Sequence, residues 1–106
     1  MPQTIRKYWS PRKGRHVMNF NWEAINFGSV VSVTACEYVP VSSGVHIVNS
    51  DQPKHVGDAN VWVSGVAPHS NPGGVTFAVN VDWPDPLPIV TDITLFDDLP
   101  FEIQDP

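Results

Sequence analysis

Residues Val75 to Trp83 read V-T-F-A-V-N-V-D-W. Val75, Phe77, Val79, Val81 and Trp83 fall on one side of an extended chain and Thr76, Ala78, Asn80 and Asp82 on the other, the period of two that a half-buried strand requires. Such a strand must be hydrogen-bonded along both edges and covered on its apolar side, so it demands a sheet and a second layer packed on that sheet. A chain of 106 residues must build both in one domain around a single modest core.

The rest of the chain supplies matching pieces. Eleven prolines and seven glycines separate short valine-rich runs, which favours an all-β fold with many turns. His16 to Trp22 places His16, Met18, Phe20 and Trp22 on one face, and Val30 to Tyr38 turns Val31, Val33 and Ala35 inward. Pro40 to Gly44 reads as a loop, Val45 to Val48 as a short edge strand, and Asn49 to Asp58 as irregular apart from a strand start near Val56. Asn60 to Val66 is a further strand, in which Gly65 predicts a bulge. Ala67 to Gly74 then reads as a hairpin loop. After Trp83, the three prolines of Pro84-Asp85-Pro86-Leu87-Pro88 lack ladder donors and predict a crossover to the other sheet. Ile89 to Asp97 is the last strand, with Ile93 and Leu95 inward and Asp92 and Thr94 outward. The expectation is an immunoglobulin-like β-sandwich of six or seven antiparallel strands over residues 16–98, with a tail at 99–106 that packs by Phe101 and Ile103.

Charge divides the chain sharply. Arg6, Lys7, Arg12, Lys13 and Arg15 fall in the first fifteen residues with no acid among them, whereas from His16 onward one lysine faces eleven acids, a net side-chain charge of −10. Residues 1–15 show no evident strand period and are punctuated by Pro2, Pro11 and Gly14, so they read as an extended basic arm. Tyr8 and Trp9 in its middle are either anchors for a partner or caps on the domain's own core. Asymmetry of this kind points to a tail that contacts nucleic acid or an acidic protein surface.

No motif specifies a chemistry. The single cysteine, Cys36, allows no internal disulfide and no zinc-finger spacing. His16, His46, His55 and His69 are too far apart in sequence for the dense ligand spacing of a zinc site, so no metal or cofactor is expected. Asp82 with Asp85, and Asp97 with Asp98, could be offered as acid–base pairs, but beside prolines and strand ends they serve turns and sheet edges. No nucleophile elbow or phosphate-binding glycine loop is present. The expectation is therefore a protein that is not an enzyme. The N-terminal residues lack the apolar run of a signal peptide and no eighteen consecutive residues are apolar, so the expected compartment is cytoplasmic, or the virion if the chain is phage-encoded.

Four tryptophans raise carbohydrate binding as an alternative: Trp22 and Trp83 are expected in the core, Trp62 stands in an ambiguous register, and Trp9 lies on the arm. Ser10-Pro11-Arg12-Lys13 has the form of short basic motifs that lie in DNA minor grooves, which makes a DNA-contacting accessory protein the other alternative. Repulsion between a duplex and the acidic body opposes that reading. The disulfide-free sandwich with its basic arm resembles in plan the small structural proteins of tailed-phage virions, such as head, decoration or neck components. That resemblance implies a non-enzymatic assembly protein and carries no site residues with it. On this expectation the arm, through Arg6, Lys7, Tyr8, Trp9, Arg12, Lys13 and Arg15, docks on an acidic face of a neighbouring copy or another virion protein. That face draws on Asp82, Asp85, Asp92, Asp97 and Asp98, and sheet edges add to the contact.

Overall fold

The computed structural model describes residues 2–40, 53–96 and 102. These contain seven strands and no helix: β1 (Gln3–Arg12), β2 (Gly14–Asn21), β3 (Val31–Tyr38), β4 (Lys54–His55), β5 (Asn60–His69), β6 (Gly74–Asp82) and β7 (Leu87–Leu95). All pairings are antiparallel, in one sheet ordered β1-β7-β3-β4 and another ordered β2-β6-β5. The two sheets pack as a sandwich, which is compatible with an immunoglobulin-like plan.

The V-T-F-A-V-N-V run occupies the middle of its sheet. Val75, Phe77, Val79 and Val81 of β6 are at most 3% exposed and meet Ile89 and Ile93 of β7, an inner strand of the facing sheet. Met18 of β2 and Val33 of β3 complete the layer from the flanking strands. Both inner strands are covered more fully than simple alternation implies. Ala78 of β6 and Val90 of β7 are buried although they lie on the outer sides of their sheets. Over Val90, Tyr8 and Tyr38 meet edge to face with ring centroids 5.0 Å apart.

The chain crosses to the facing sheet after β6 as the prolines predict, but through residues 83–86 only, because Leu87 and Pro88 already belong to β7. Gly65 has φ of +64°, and the β5–β6 register shifts between Ser64 and Ala67, so the expected bulge is present. Gly73 is needed for a different reason. A Cβ there would lie 2.2 Å from the Ile25 carbonyl oxygen and within 3 Å of those of Glu23 and Trp22. The β5–β6 turn can therefore press against the β2–β3 connection, where Trp22 N donates to Gly73 O at 2.9 Å and Phe27 N donates to Ser70 Oγ at 2.9 Å.

Several expectations are corrected. The arm of residues 1–15 is not an arm: Gln3 to Arg12 form β1, paired with β7 from Gln3↔Leu95 to Arg12↔Leu87, and β2 already begins at Gly14. The sandwich thus starts at Gln3, not at His16. Ala67, Pro68 and His69 continue β5 and leave only residues 70–73 for the turn; Pro68 is tolerated because β5 is an edge strand. The strand near Val56 is β4, which ends at His55 after two residues and leaves Val56 94% exposed. Trp83 is 37% exposed and outside the core, because β6 ends at Asp82 and the chain turns away one residue before the alternation would bury it. The loop at 41–44, the strand expected at Val45 to Val48, Asp97, Asp98, and the packing of Phe101 and Ile103 lie outside the described residues.

Candidate interaction surface

The basic and acidic residues singled out from sequence are now placed by named strands. Arg6 leaves the outer side of β1 directly opposite Asp92 of β7. Its Nε donates to Asp92 Oδ1 at 2.6 Å and its Nη2 to Oδ2 at 3.0 Å, while Lys54 Nζ of β4 reaches Oδ2 at 2.7 Å. The Arg6 hydrogen bond, helped by Lys54 and opposed by partial burial, lowers the Asp92 pKa to about 2. A basic and an acidic residue expected to meet between subunits therefore meet within one chain, tying the two edges of the sheet to an inner strand.

Neither aromatic residue of β1 is free to serve as an external anchor. Trp9 donates from Nε1 to Thr91 Oγ1 at 2.8 Å and packs edge to face on Phe77, with centroids 6.4 Å apart. It caps the core, the plainer of the two roles open to it from sequence. Tyr8 lies in the ring pair over Val90, and Lys7 Nζ sits 5.4 Å from the Trp9 ring centroid.

The other three cations gather at the corner where the chain passes from β1 in one sheet to β2 in the other. Arg12 folds back on the corner, donating from Nη1 to Ser10 O at 2.9 Å and Ser10 Oγ at 2.5 Å. Lys13 and Arg15 are exposed and have no side-chain partner among the described residues. Nearby, His16 donates from Nε2 to Lys13 O at 2.8 Å, which fixes the backbone of the corner.

Across the same end lies an acidic cleft of about 240 Å³, lined by Glu37, His55, Gly57, Asp58, Trp83 and Leu87 among others. Asp82 and Asp85 flank the half-exposed Trp83 and are themselves exposed. Glu37 pairs with Ile89 of β7, which pairs on its other side with Trp9 of β1. Two strand spacings, roughly 10 Å, therefore separate Glu37 from Trp9, while Arg12 pairs with Leu87, which itself lines the acidic cleft. Glu37, Asp58 and Trp83 had not been marked as site residues from sequence. Their only signal was membership of the acidic body, because their convergence requires the β3–β4 pairing and the chain's departure after Asp82.

The remaining clefts differ in character. At the opposite end, a cavity of about 700 Å³ lies between the β2–β3 connection and the β5–β6 turn, lined by Asn21, Glu23, Asn26, Ser70 and Asn71 with Ile25 at its base. On the outer side of the β2-β6-β5 sheet, a cleft of about 210 Å³ runs beside Trp62, which is 49% exposed. Among the described residues no three His, Cys, Asp or Glu side chains converge as a metal site. Cys36 is half-buried, with its Sγ 3.5 Å from His55 O. No protein-family model, curated protein or solved structure matches this chain.

Proposed function

We propose that this protein is a non-enzymatic assembly subunit that joins copies of itself through unlike charged patches, as a component of a larger shell such as a virion. The observation that carries the reading is the mixed charge at one end of the sandwich, with Arg12, Lys13 and Arg15 at the β1–β2 corner, Glu37 and Asp58 in the cleft beside Trp83, Asp85 two residues beyond that ring, and Asp82 lining the next cleft with Arg15. A corner that enters the cleft of the next copy makes a contact between unlike patches, and such contacts propagate into rings or filaments. The half-exposed indole of Trp83 offers an incoming ammonium or guanidinium a ring face as well as carboxylates. Attraction of this kind speeds encounter and sets register. The plan-level resemblance to phage head, decoration and neck proteins agrees with this role.

The test is the solution mass by light scattering, with charge reversals in place of truncation. Removing residues 1–15 would delete an edge strand and Trp9, and so test folding more than assembly. At low salt the full chain is expected to exceed the 11.7 kDa of one copy. Arg12→Glu with Lys13→Glu, or Asp82→Lys with Asp85→Lys, is expected to return each variant to single copies, and mixing the two variants to restore assembly through the swapped charges. Single copies of the unaltered chain in every condition, or assemblies indifferent to both reversals, would sink the proposal. Salt-sensitive binding of a DNA duplex lost in the Arg12→Glu, Lys13→Glu variant would move the corner's partner to nucleic acid.

A further inference from the structure

The outer side of the β2-β6-β5 sheet has a chemistry unlike that of the charged end. Its successive cross-strand rows are Trp62, Asn80 and Arg15; Ser64, Ala78 and Val17; and Ala67, Thr76 and Asn19. Val61 and Val63 of β5 pack on the core, so Trp62 between them must point outward. A tryptophan left 49% exposed on the outer side of an edge strand is a large apolar plane with no aromatic partner among the described residues. The Asn80 amide lies opposite it and the Ser64 hydroxyl two residues along its own strand, and one cation, Arg15, and one anion, Asp82, line the same cleft.

The polar groups beside the ring are held in place. Asn80 donates from Nδ2 to Trp62 O at 3.3 Å and to Ser64 Oγ at 3.1 Å, so its amide oxygen turns away from β5 toward β2. Two rows further along, Asn19 Oδ1 accepts from Thr76 Oγ1 at 3.0 Å and from His69 Nε2 at 2.6 Å, and Asn19 Nδ2 donates to Asn21 Oδ1 at 2.7 Å. Side chains fixed in this way lose little freedom when a ligand binds.

We infer that this face binds a neutral oligosaccharide, with one pyranose ring stacked on Trp62 and its hydroxyls hydrogen-bonded to Asn80, Arg15 and Asp82 in the adjoining cleft. A sugar ring has an apolar face that matches the indole and an equatorial rim of hydroxyls that each donate and accept. Asn80 and Asp82 supply acceptors at that rim and Arg15 supplies donors. A single strand of nucleic acid would also stack on the indole, but its phosphates call for a positively charged track, and Asp82 stands in this cleft. Arg15 and Asp82 also belong to the charged end invoked for assembly, whereas Trp62 and Asn80 do not, so substitutions of Trp62 isolate this site.

The experiment is amide and indole NMR on the full chain, titrated with the hexasaccharides of maltose, cellulose, chitin and mannan types and, separately, with a deoxythymidine decamer. At least one hexasaccharide is expected to shift the Trp62 indole N–H and the Asn80 side-chain amide. Trp62→Ala should weaken that binding by about tenfold or more, Trp62→Phe should retain most of it, and Trp83→Ala should leave it unchanged. Absence of shifts with all four hexasaccharides would overturn the inference, as would shifts that survive Trp62→Ala. Stronger binding of the decamer, lost with salt, would overturn it in favour of nucleic acid.

Discussion

Asp92 is the residue at which the sequence's two charge blocks meet. Its carboxylate is 17% exposed between Arg6 and Lys54, and its pKa is lowered to about 2 from an ordinary 3.8. A depressed carboxylate stabilises the fold above its unfolded pKa, and that contribution is lost as pH falls through the folded value. Acid titration between pH 4 and 2 should therefore weaken the native protein more than it weakens Asp92→Asn. At neutral pH the substitution should cost on the order of 1 kcal/mol in urea denaturation, since both cations are partly solvated and screened. Thr91, its neighbour, is wholly buried, and its hydroxyl accepts the Trp9 indole N–H. Thr91→Val keeps the shape but strands that donor, and should lose about 1 kcal/mol. In a double-mutant cycle with Trp9→Phe the two losses should be less than additive, because each removes the same bond.

At the scale of elements, the legible strands are those whose alternation is reinforced by burial. β2, β3, β6 and β7 each carry Val, Ile, Phe or Met on the core side, and the alternation of the sequence gives their inward residues, failing only at Trp83 beyond the end of β6. β1 was not legible, and the reason lies in its inward column of Gln3, Ile5, Lys7 and Trp9. As an edge strand it packs only partly against the facing sheet, so a lysine is tolerated there with its charge at the rim, and the period of two is blurred. The β-forming content of Thr4-Ile5-Arg6-Lys7-Tyr8-Trp9 was the signal available, and the charge run obscured it. Turns show the same dependence on context. Gly73 looks in sequence like one more turn glycine, yet three carbonyl oxygens of the β2–β3 connection close on it. Gly73→Ala should cost about 3 kcal/mol, measured by thermal or urea unfolding, because backbone atoms and not a flexible side chain must give way.

For the molecule as a whole, the net charge of −5 is less informative than where its components lie. Exposed charges of both signs at one end of the molecule attract their opposites on a neighbouring copy only within a Debye length, about 8 Å at physiological salt, so the proposed assembly should tighten as salt is lowered and dissolve as it is raised. The sugar-binding face should be indifferent to the same change, and light scattering and NMR across one salt series would separate the two. The sequence by itself determined an all-β sandwich without disulfides, the central place of Val75 to Val81, the bulge at Gly65 and the crossover after β6, because each follows from local alternation or from the backbone limits of glycine and proline. Tertiary structure alone decided that the basic N-terminal residues form an edge strand, that Arg6 and Asp92 neutralise each other, that Trp9 is enclosed while Trp83 is not, and that Trp62 faces outward. Those outcomes depend on which strand lies beside which and where each one stops, and pairings between residues more than eighty positions apart leave no trace in local periodicity.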